Sequence, residues 1–170
     1  MPVDEFVILI ALGANLPSPR YGTPRQTCEA ALAALAAAGV RVLRCSRWYQ
    51  SDPVPPSDQP PFVNGVAQVA TDLTPADLLA VLHRIETEFG RTRRQRNEAR
   101  VIDLDLLAYG TRISTGGEAP ELPHPRLADR AFVLLPLAEL APDWRHPVDG
   151  RTAADMAARL APGQTAEPMD

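Results

Sequence analysis

Lysine is missing altogether: all 17 basic residues of the chain are arginine. Without lysine there is no Walker-type phosphate loop ending in Gly-Lys-Ser/Thr, no protein-kinase strand lysine and no Schiff base. Any anion the chain handles is handled by guanidinium, whose planar fork suits phosphate. Codon bias is the plainer origin of the bias, since 26 alanines and 18 prolines accompany the arginines. Cysteine is scarce as well. Cys28 and Cys45 form no CxxC and no disulfide framework, which points to a reducing compartment, and both read as small packed apolar groups. No basic region precedes the apolar run at residues 6–12, and that run is too short to span a bilayer. Serine elbows and cysteine–histidine pairs are lacking, so no nucleophilic triad is legible. Repeats and long charge blocks are lacking too. A net charge of −4 and a pI of about 5.4 argue against a general nucleic-acid or membrane-surface binder.

What is present is ordinary for a globular protein: 170 residues, 45% hydrophobic and 22% charged. The length predicts a single domain over residues 1–170, in a cytoplasmic protein. Residues 5–13 read as a buried strand, FVILIAL, that ends in a turn at Gly13-Ala14-Asn15. Thr23-Pro24-Arg25-Gln26 is a capping box with proline at the first helical position, and the helix it opens closes at Gly39. Residues 40–49 alternate as a second strand. Residues 51–61 hold five prolines and predict an irregular loop. Residues 62–71 are a third strand, and Thr74 caps a second helix with Leu78, Val81, Leu82, Ile85 and Phe89 at helical spacing. After Gly90 comes an arginine-rich loop, then a fourth strand over 101–109. That order, βαββαβ, predicts an α/β (α+β) fold with a ferredoxin-like antiparallel sheet, flanking helices and long functional loops. The last third predicts a short apolar helix over 132–140 and a capped helix over 152–160, covering the other face or an edge. No second core is legible in it.

The sharpest chemical signal is Ile102-Asp103-Leu104-Asp105-Leu106. On a strand both aspartates project from one face, with Cα atoms roughly 6.5 Å apart. Two such carboxylates repel unless a cation lies between them. Two Mg²⁺ ions bridged by carboxylate and phosphate oxygens fit that geometry; a solvated polar edge strand is the alternative. Just upstream, residues 91–100 carry five arginines and one glutamate, a local positive patch on an acidic protein. It reads as a polyphosphate clamp, as a solvated loop paired with Glu86, Glu88 and Glu98, or as a nucleic-acid contact without an aromatic platform. Its position next to Asp103 and Asp105 favours the clamp.

Leu122-Pro123-His124-Pro125-Arg126 with Arg130 adds cationic groups in a proline-fixed loop, against the usual structural role of a lone histidine. Phe62 and Asn64 share one face of the third strand, an aromatic plate beside an amide that suits a flat heterocycle. Core packing for Phe62 and a turn for Asn64 explain them equally well. His83 and Glu86, three apart on the second helix and off its apolar stripe, can meet over the arginine loop, unless Glu86 pairs with Arg93 or Arg94.

These stretches, with Ala11-Leu12-Gly13-Ala14-Asn15-Leu16, Tyr49-Gln50-Ser51-Asp52-Pro53-Val54, Asp58-Gln59-Pro60-Pro61-Phe62-Val63-Asn64 and Arg130-Ala131-Phe132-Val133-Leu134, resemble the 6-hydroxymethyl-7,8-dihydropterin pyrophosphokinase family. They follow the family's order and cover most of residues 6–142. The arginine-to-IDLDLL segment together with PHPR is highly specific; LGAN alone is weak. The resemblance implies a transferase that moves pyrophosphate from ATP to the pterin alcohol in folate biosynthesis, releasing AMP. It implies that Asp103 and Asp105 hold two Mg²⁺ ions. The pterin would lie between Phe62 and Phe132, read by Asn64 and by the backbone of Ser51, Asp52, Pro53 and Val54. Arg91, Arg93, Arg100, His124 and Arg130 would contact phosphates, Arg91 and Arg100 with catalytic weight, while His83, Glu86 and Leu106 help hold the nucleotide. The expected partners are ATP and the pterin, with no nucleic acid, no membrane and a monomeric chain.

The chain departs from the family's pattern in three places. Asn97-Glu98-Ala99 stands where a Trp-Gly-Pro stretch is common, His83 where glutamine is frequent, and Pro55-Pro56 in a loop that often carries glycine. Two other classes compete with the enzyme reading: a ferredoxin-like nucleic-acid binder, which should show sheet aromatics, and a catalytically silent interaction domain, which needs no paired aspartates.

Overall fold

The computed structural model describes residues 6–53, 56–90, 101–115 and 119–169. Val54, Arg91, Arg93 and Arg100 therefore lie outside the described residues. The elements follow the predicted order: β1 (Ile8–Ala14), α1 (Pro24–Ala37), β2 (Arg41–Cys45), β3 (Tyr49–Ser51), β4 (Phe62–Ala70), α2 (Pro75–Glu88) and β5 (Asp103–Tyr109). After them come a 3₁₀ turn (Leu127–Asp129), α3 (Ala131–Leu140), α4 (Ala153–Ala158) and β6 (Ala166–Pro168). The strands form an antiparallel sheet in the order β5-β1-β4-β3-β6, with β2 also paired to β4.

Local sequence explains the helix starts. Thr23 accepts from the Gln26 N–H while the Gln26 side chain accepts from the Thr23 N–H, the reciprocal box that the spacing predicts. Thr74 accepts from the Asp77 N–H and opens α2. Gly39, just past the end of α1, has φ +88°, a left-handed conformation that costs glycine nothing.

The predicted second strand is two strands. A register shift falls between Val42 and Arg44, and Ser46 then takes over the ladder, its N–H donating to Val66 C=O and its Oγ accepting from Val66 N–H. Trp48 packs against Gly65, where a Cβ would come within 2.6 Å of the indole.

The last third covers the other face of the sheet, as expected, so the sheet carries a hydrophobic cluster on each side. One face of the sheet buries Ile8, Ile10 and Leu12 of β1 against Cys28, Ala31 and Leu35 of α1 and Leu78, Leu82 and Ile85 of α2. The opposite face buries Leu9, Val66, Leu107 and Ala108 against Val133, Leu134 and Leu137 of α3 and Ala153 and Met156 of α4. The cause is visible in β1, whose unbroken apolar run leaves neither face polar, as in any strand covered on both sides. The C-terminal strand β6 has no counterpart among the predicted elements. Cys28 and Cys45 are free, and burial pushes their thiols up to about 12 and about 11, so both pack as inert small groups.

Candidate active site

The pairing register assembles the site. Gly13 of β1 lies opposite Asp103 of β5 on one side and Asn64 of β4 on the other, and Asn64 lies opposite Tyr49 of β3. Asp103, Gly13, Asn64 and Tyr49 are thus one row across four strands. Asp105 starts the next row, opposite Ala11 and then Val66. Leu104 and Leu106 are buried in the core beneath α1 and α2, which turns the two half-buried aspartates to the face that α3 covers. The alternation predicted for this strand holds. Leu106 therefore offers its backbone, not its side chain, to anything on that face.

Asn64 is a buried mid-strand residue, not a turn residue, and its Nδ2 donates to the Ser51 Oγ at 2.7 Å. A Cβ at position 13 would come within 3.0 Å of the Asn64 Oδ1, so glycine is what lets the amide lie over β1. Phe62, at the start of β4 opposite Ser51, is half-buried and belongs to neither hydrophobic cluster. Asp52 is exposed and accepts from Thr165, and Pro53 follows it, half-buried.

Helix α3 brings the remaining groups. Arg130 immediately precedes it, and its guanidinium lies 5.4 Å from the centre of the Phe132 ring, a cation–π contact. Further along the helix, Glu139 accepts from the Tyr49 hydroxyl at 2.6 Å and from the Arg47 N–H and Nε at 2.8 and 3.0 Å. That carboxylate ties α3 to β3, the strand that leads to Ser51 and Asp52.

His124 sits beside β5, its N–H donating to Leu107 C=O at 2.8 Å. Its Nδ1 accepts from the Arg126 N–H at 3.2 Å. Burial lowers its pKa, the charges of Arg130 and Arg126 lower it further, and Asp103 and Glu121 oppose them only in part. The imidazole is therefore neutral at pH 7, within the field of both arginines and Asp103.

The arginine loop over which His83 and Glu86 of α2 are expected to meet, with Arg93 and Arg94, lies outside the described residues. His83 is exposed, whereas Glu86 is 1% exposed on the buried face, its Oε2 accepting from the Leu104 N–H at 2.7 Å. A glutamate one position past Ile85 reads as polar face in the helical pattern, but the unpaired outer edge of β5 draws it inward. Sequence reasoning also passed over Asn15, 1% exposed, whose Nδ2 donates to Gln59 Oε1 and Pro60 C=O and pins the loop before β4 to the end of β1. The Ala-Asn step of the LGAN motif was its one signal. A cleft of about 530 Å³ lined by Val7, Gly110, Trp144 and Arg145 lies at the opposite end of these strands and includes none of these side chains.

The family described as 7,8-dihydro-6-hydroxymethylpterin-pyrophosphokinase (HPPK) matches residues 9–142. The chain belongs to this family. Among its relatives, the 2-amino-4-hydroxy-6-hydroxymethyldihydropteridine pyrophosphokinase of Pseudomonas aeruginosa is 45% identical over 154 residues, covering 89% of this chain and 90% of the relative. The Synechocystis enzyme of the same name is 41% identical over 145 residues, 85% of this chain and 71% of the relative. The Folic acid synthesis protein fol1 of Pneumocystis carinii is 38% identical over 152 residues, which make up 20% of that longer protein. The fold likewise resembles the solved HPPK-DHPS of Plasmodium falciparum, with TM-score 0.68 at 14% identity, covering 91% of this chain and 44% of that one. The pyrophosphokinase is an enzyme of folate biosynthesis, and the readings as a nucleic-acid binder or a silent interaction domain fall with this membership.

Proposed function

We propose that the row of Asp103, Gly13, Asn64 and Tyr49, roofed by the start of α3, is where this pyrophosphokinase joins its two substrates. The reaction is transfer of pyrophosphate from ATP to 6-hydroxymethyl-7,8-dihydropterin. The observation that carries the placement is that Asp103, Asp105, Asn64 and Phe62 share one sheet face by register, with Arg130 and Phe132 on the helix that covers it.

On this reading the pterin lies between Phe62 and Phe132. Asn64 and the backbone of Ser51, Asp52, Pro53 and Val54 meet its polar edge, supported by the 2.7 Å bond that fixes the Asn64 amide. Arg91, Arg93, Arg100, His124 and Arg130 meet the phosphates. A neutral His124 then donates from Nε2, because Nδ1 already accepts from Arg126. His83 and the Leu106 backbone support the nucleotide, and Glu86 acts from behind β5.

Asp103 and Asp105 fit two magnesium ions by donor chemistry: both offer hard carboxylate oxygens from one strand face. Magnesium takes one or two protein carboxylates and completes its shell with water and phosphate oxygens. Magnesium supplies charge neutralisation and a fixed orientation of the triphosphate when bound.

The step itself is in-line: the pterin hydroxymethyl oxygen forms a bond to the β-phosphorus, the bond from the β-phosphorus to the α–β bridging oxygen breaks, AMP leaves and the hydroxyl proton passes to solvent. Alignment and charge neutralisation carry such a transfer, so no protein nucleophile is required. On the same reading the chain works as a single monomeric domain in the cytoplasm. No described helix is long and apolar enough to cross a membrane. The test is AMP release that requires both the pterin alcohol and Mg²⁺ and stops on chelation; AMP release without the pterin would defeat the reading.

A further inference from the structure

Helix α3 opens on Arg130, whose side chain makes no capping hydrogen bond. Helix starts favour Ser, Thr, Asp or Asn, because a short side-chain oxygen there accepts from a first-turn amide; arginine has no acceptor to give. The acceptor arrives from 33 residues away. Gln164 Oε1 accepts from the Ala131 N–H at 2.9 Å, and Gln164 Nε2 donates to the Asp129 C=O at 2.8 Å. One side-chain amide holds the backbone on both sides of Arg130.

The residues that follow hold the other half of the site. Thr165 Oγ1 donates to Asp52 Oδ2 at 3.0 Å. Ala166, Glu167 and Pro168 pair with Ser51, Gln50 and Tyr49, and the Met169 N–H donates to Trp48 C=O at 2.7 Å. Residues 164–169 thus join the start of α3 to the segment at 48–52. They lie outside the 9–142 match to the family. Strand β6 is half-buried at Ala166 and exposed at Glu167 and Pro168, and within the segment Met169 is the residue that packs against the core.

We propose that residues 164–169 are a positioning strap for both substrates of this enzyme: Gln164 sets Arg130 and Phe132, while Thr165 and β6 set Asp52 and Ser51. The proposal rests on the site assignment above. Gln164 frees position 130 to be an arginine, since the cap that residue would otherwise owe the helix is supplied from the C-terminal segment.

The test uses full-length Gln164→Met and Thr165→Val, both close in size to the residues they replace and without the polar contacts. Thr165→Val is expected to raise the KM for the pterin several-fold and leave the KM for ATP unchanged. Gln164→Met is expected to raise both KM values and lower kcat/KM by about tenfold, and Gln164→Glu, which keeps the acceptor for the Ala131 N–H but cannot donate to the Asp129 C=O, should recover only part of it. The melting temperature should stay near that of the wild type in Thr165→Val and fall by only a few degrees in Gln164→Met, which loses one helix cap. Should Gln164→Met fold poorly, the exposed Thr165 site still gives the KM split. Wild-type kinetic constants in both variants would overturn the strap, and so would losses that follow melting temperature without a split between the substrates. A wild-type enzyme that releases no pterin-dependent AMP would overturn the functional reading and the strap with it.

Discussion

Glu86 Oε2 accepts a 2.7 Å hydrogen bond from the backbone N–H of Leu104, the residue between Asp103 and Asp105. A buried carboxylate thereby satisfies the outer edge of β5 and fixes the strand that carries both aspartates. A buried donor left without its acceptor costs about 1–3 kcal/mol. Glu86→Ala should therefore lower stability by about that amount and raise the Mg²⁺ concentration needed for half-maximal turnover. Glu86→Gln keeps an acceptor oxygen and should recover most of the stability. Urea unfolding beside a Mg²⁺ titration of the rate checks both, and an alanine variant with an unchanged Mg²⁺ requirement would show that the strand does not need this anchor.

Asp103→Ala and Asp105→Ala should each cut turnover on the order of a hundredfold or more while leaving the fold intact. The leucines on either side secure the strand in the core, so the fold should persist while activity falls. Near wild-type turnover in either variant at saturating Mg²⁺ would remove the metal role.

How much of this was legible depends on the range of the interaction concerned. The capping box at Thr23 and Gln26 and the cap at Thr74 are settled within four residues, so the sequence pattern carries them. The same holds for the alternation of Asp103 and Asp105 with Leu104 and Leu106, which needs only the two-residue period of a strand. Gln164, Asn15 and Glu86 act on backbone 33, 45 and 18 residues away, through polar side chains that no periodicity marks. The contact of Trp48 with Gly65 of β4, 17 positions on, is likewise one that neither residue announces. The two-sided core was legible in principle, because β1 shows no polar alternation at all.

Gly13→Ala tests the row across the sheet. A Cβ at 3.0 Å from the Asn64 Oδ1 requires the amide to give by a few tenths of an ångström, which would disturb its bond to Ser51. The KM for the pterin should rise several-fold, because the amide that meets the ring edge is displaced. The KM for ATP should stay near the wild-type value, since Asp103 and Asp105 keep their strand. Equal rises for both substrates would mean a general distortion of β1 instead.

His124 makes stability depend on pH in a defined window. Its protonated form is disfavoured in the fold by burial and by the nearby arginines, so the unfolded chain takes up this proton at a higher pH than the folded one. Stability from this group is therefore complete above the ordinary value of 6.5 and is lost as pH falls through the lower folded pKa. Glu139 and Asp149 are also held low, but their losses begin below 4.5 and 3.8 and stay separate. His124→Asn, whose Oδ1 can still accept from the Arg126 N–H, should flatten the decline below 6.5. Denaturation at several pH values gives the answer, and parallel curves for the two proteins would assign the decline elsewhere.

Arg100 lies in the ten-residue stretch 91–100 that holds five of the chain's 17 arginines, so simple attraction of ATP has many sources there. The role proposed for Arg100 is a bidentate fork on the β-phosphoryl group as it moves, which attraction alone does not supply. Arg100→Ala should then lower kcat far more than ATP affinity, a loss of about 3 kcal/mol in the transition state. Salt separates the two roles, because attraction between exposed charges is screened while a contact made in a closed site is screened much less. Rising ionic strength should weaken binding of an ATP analogue to wild type and Arg100→Ala alike, and leave the ratio of their kcat values unchanged. Lysine at position 100 restores the charge but not the bidentate geometry and should rescue the rate only in part. Full rescue by Arg100→Lys would reduce the role of this residue to electrostatic attraction.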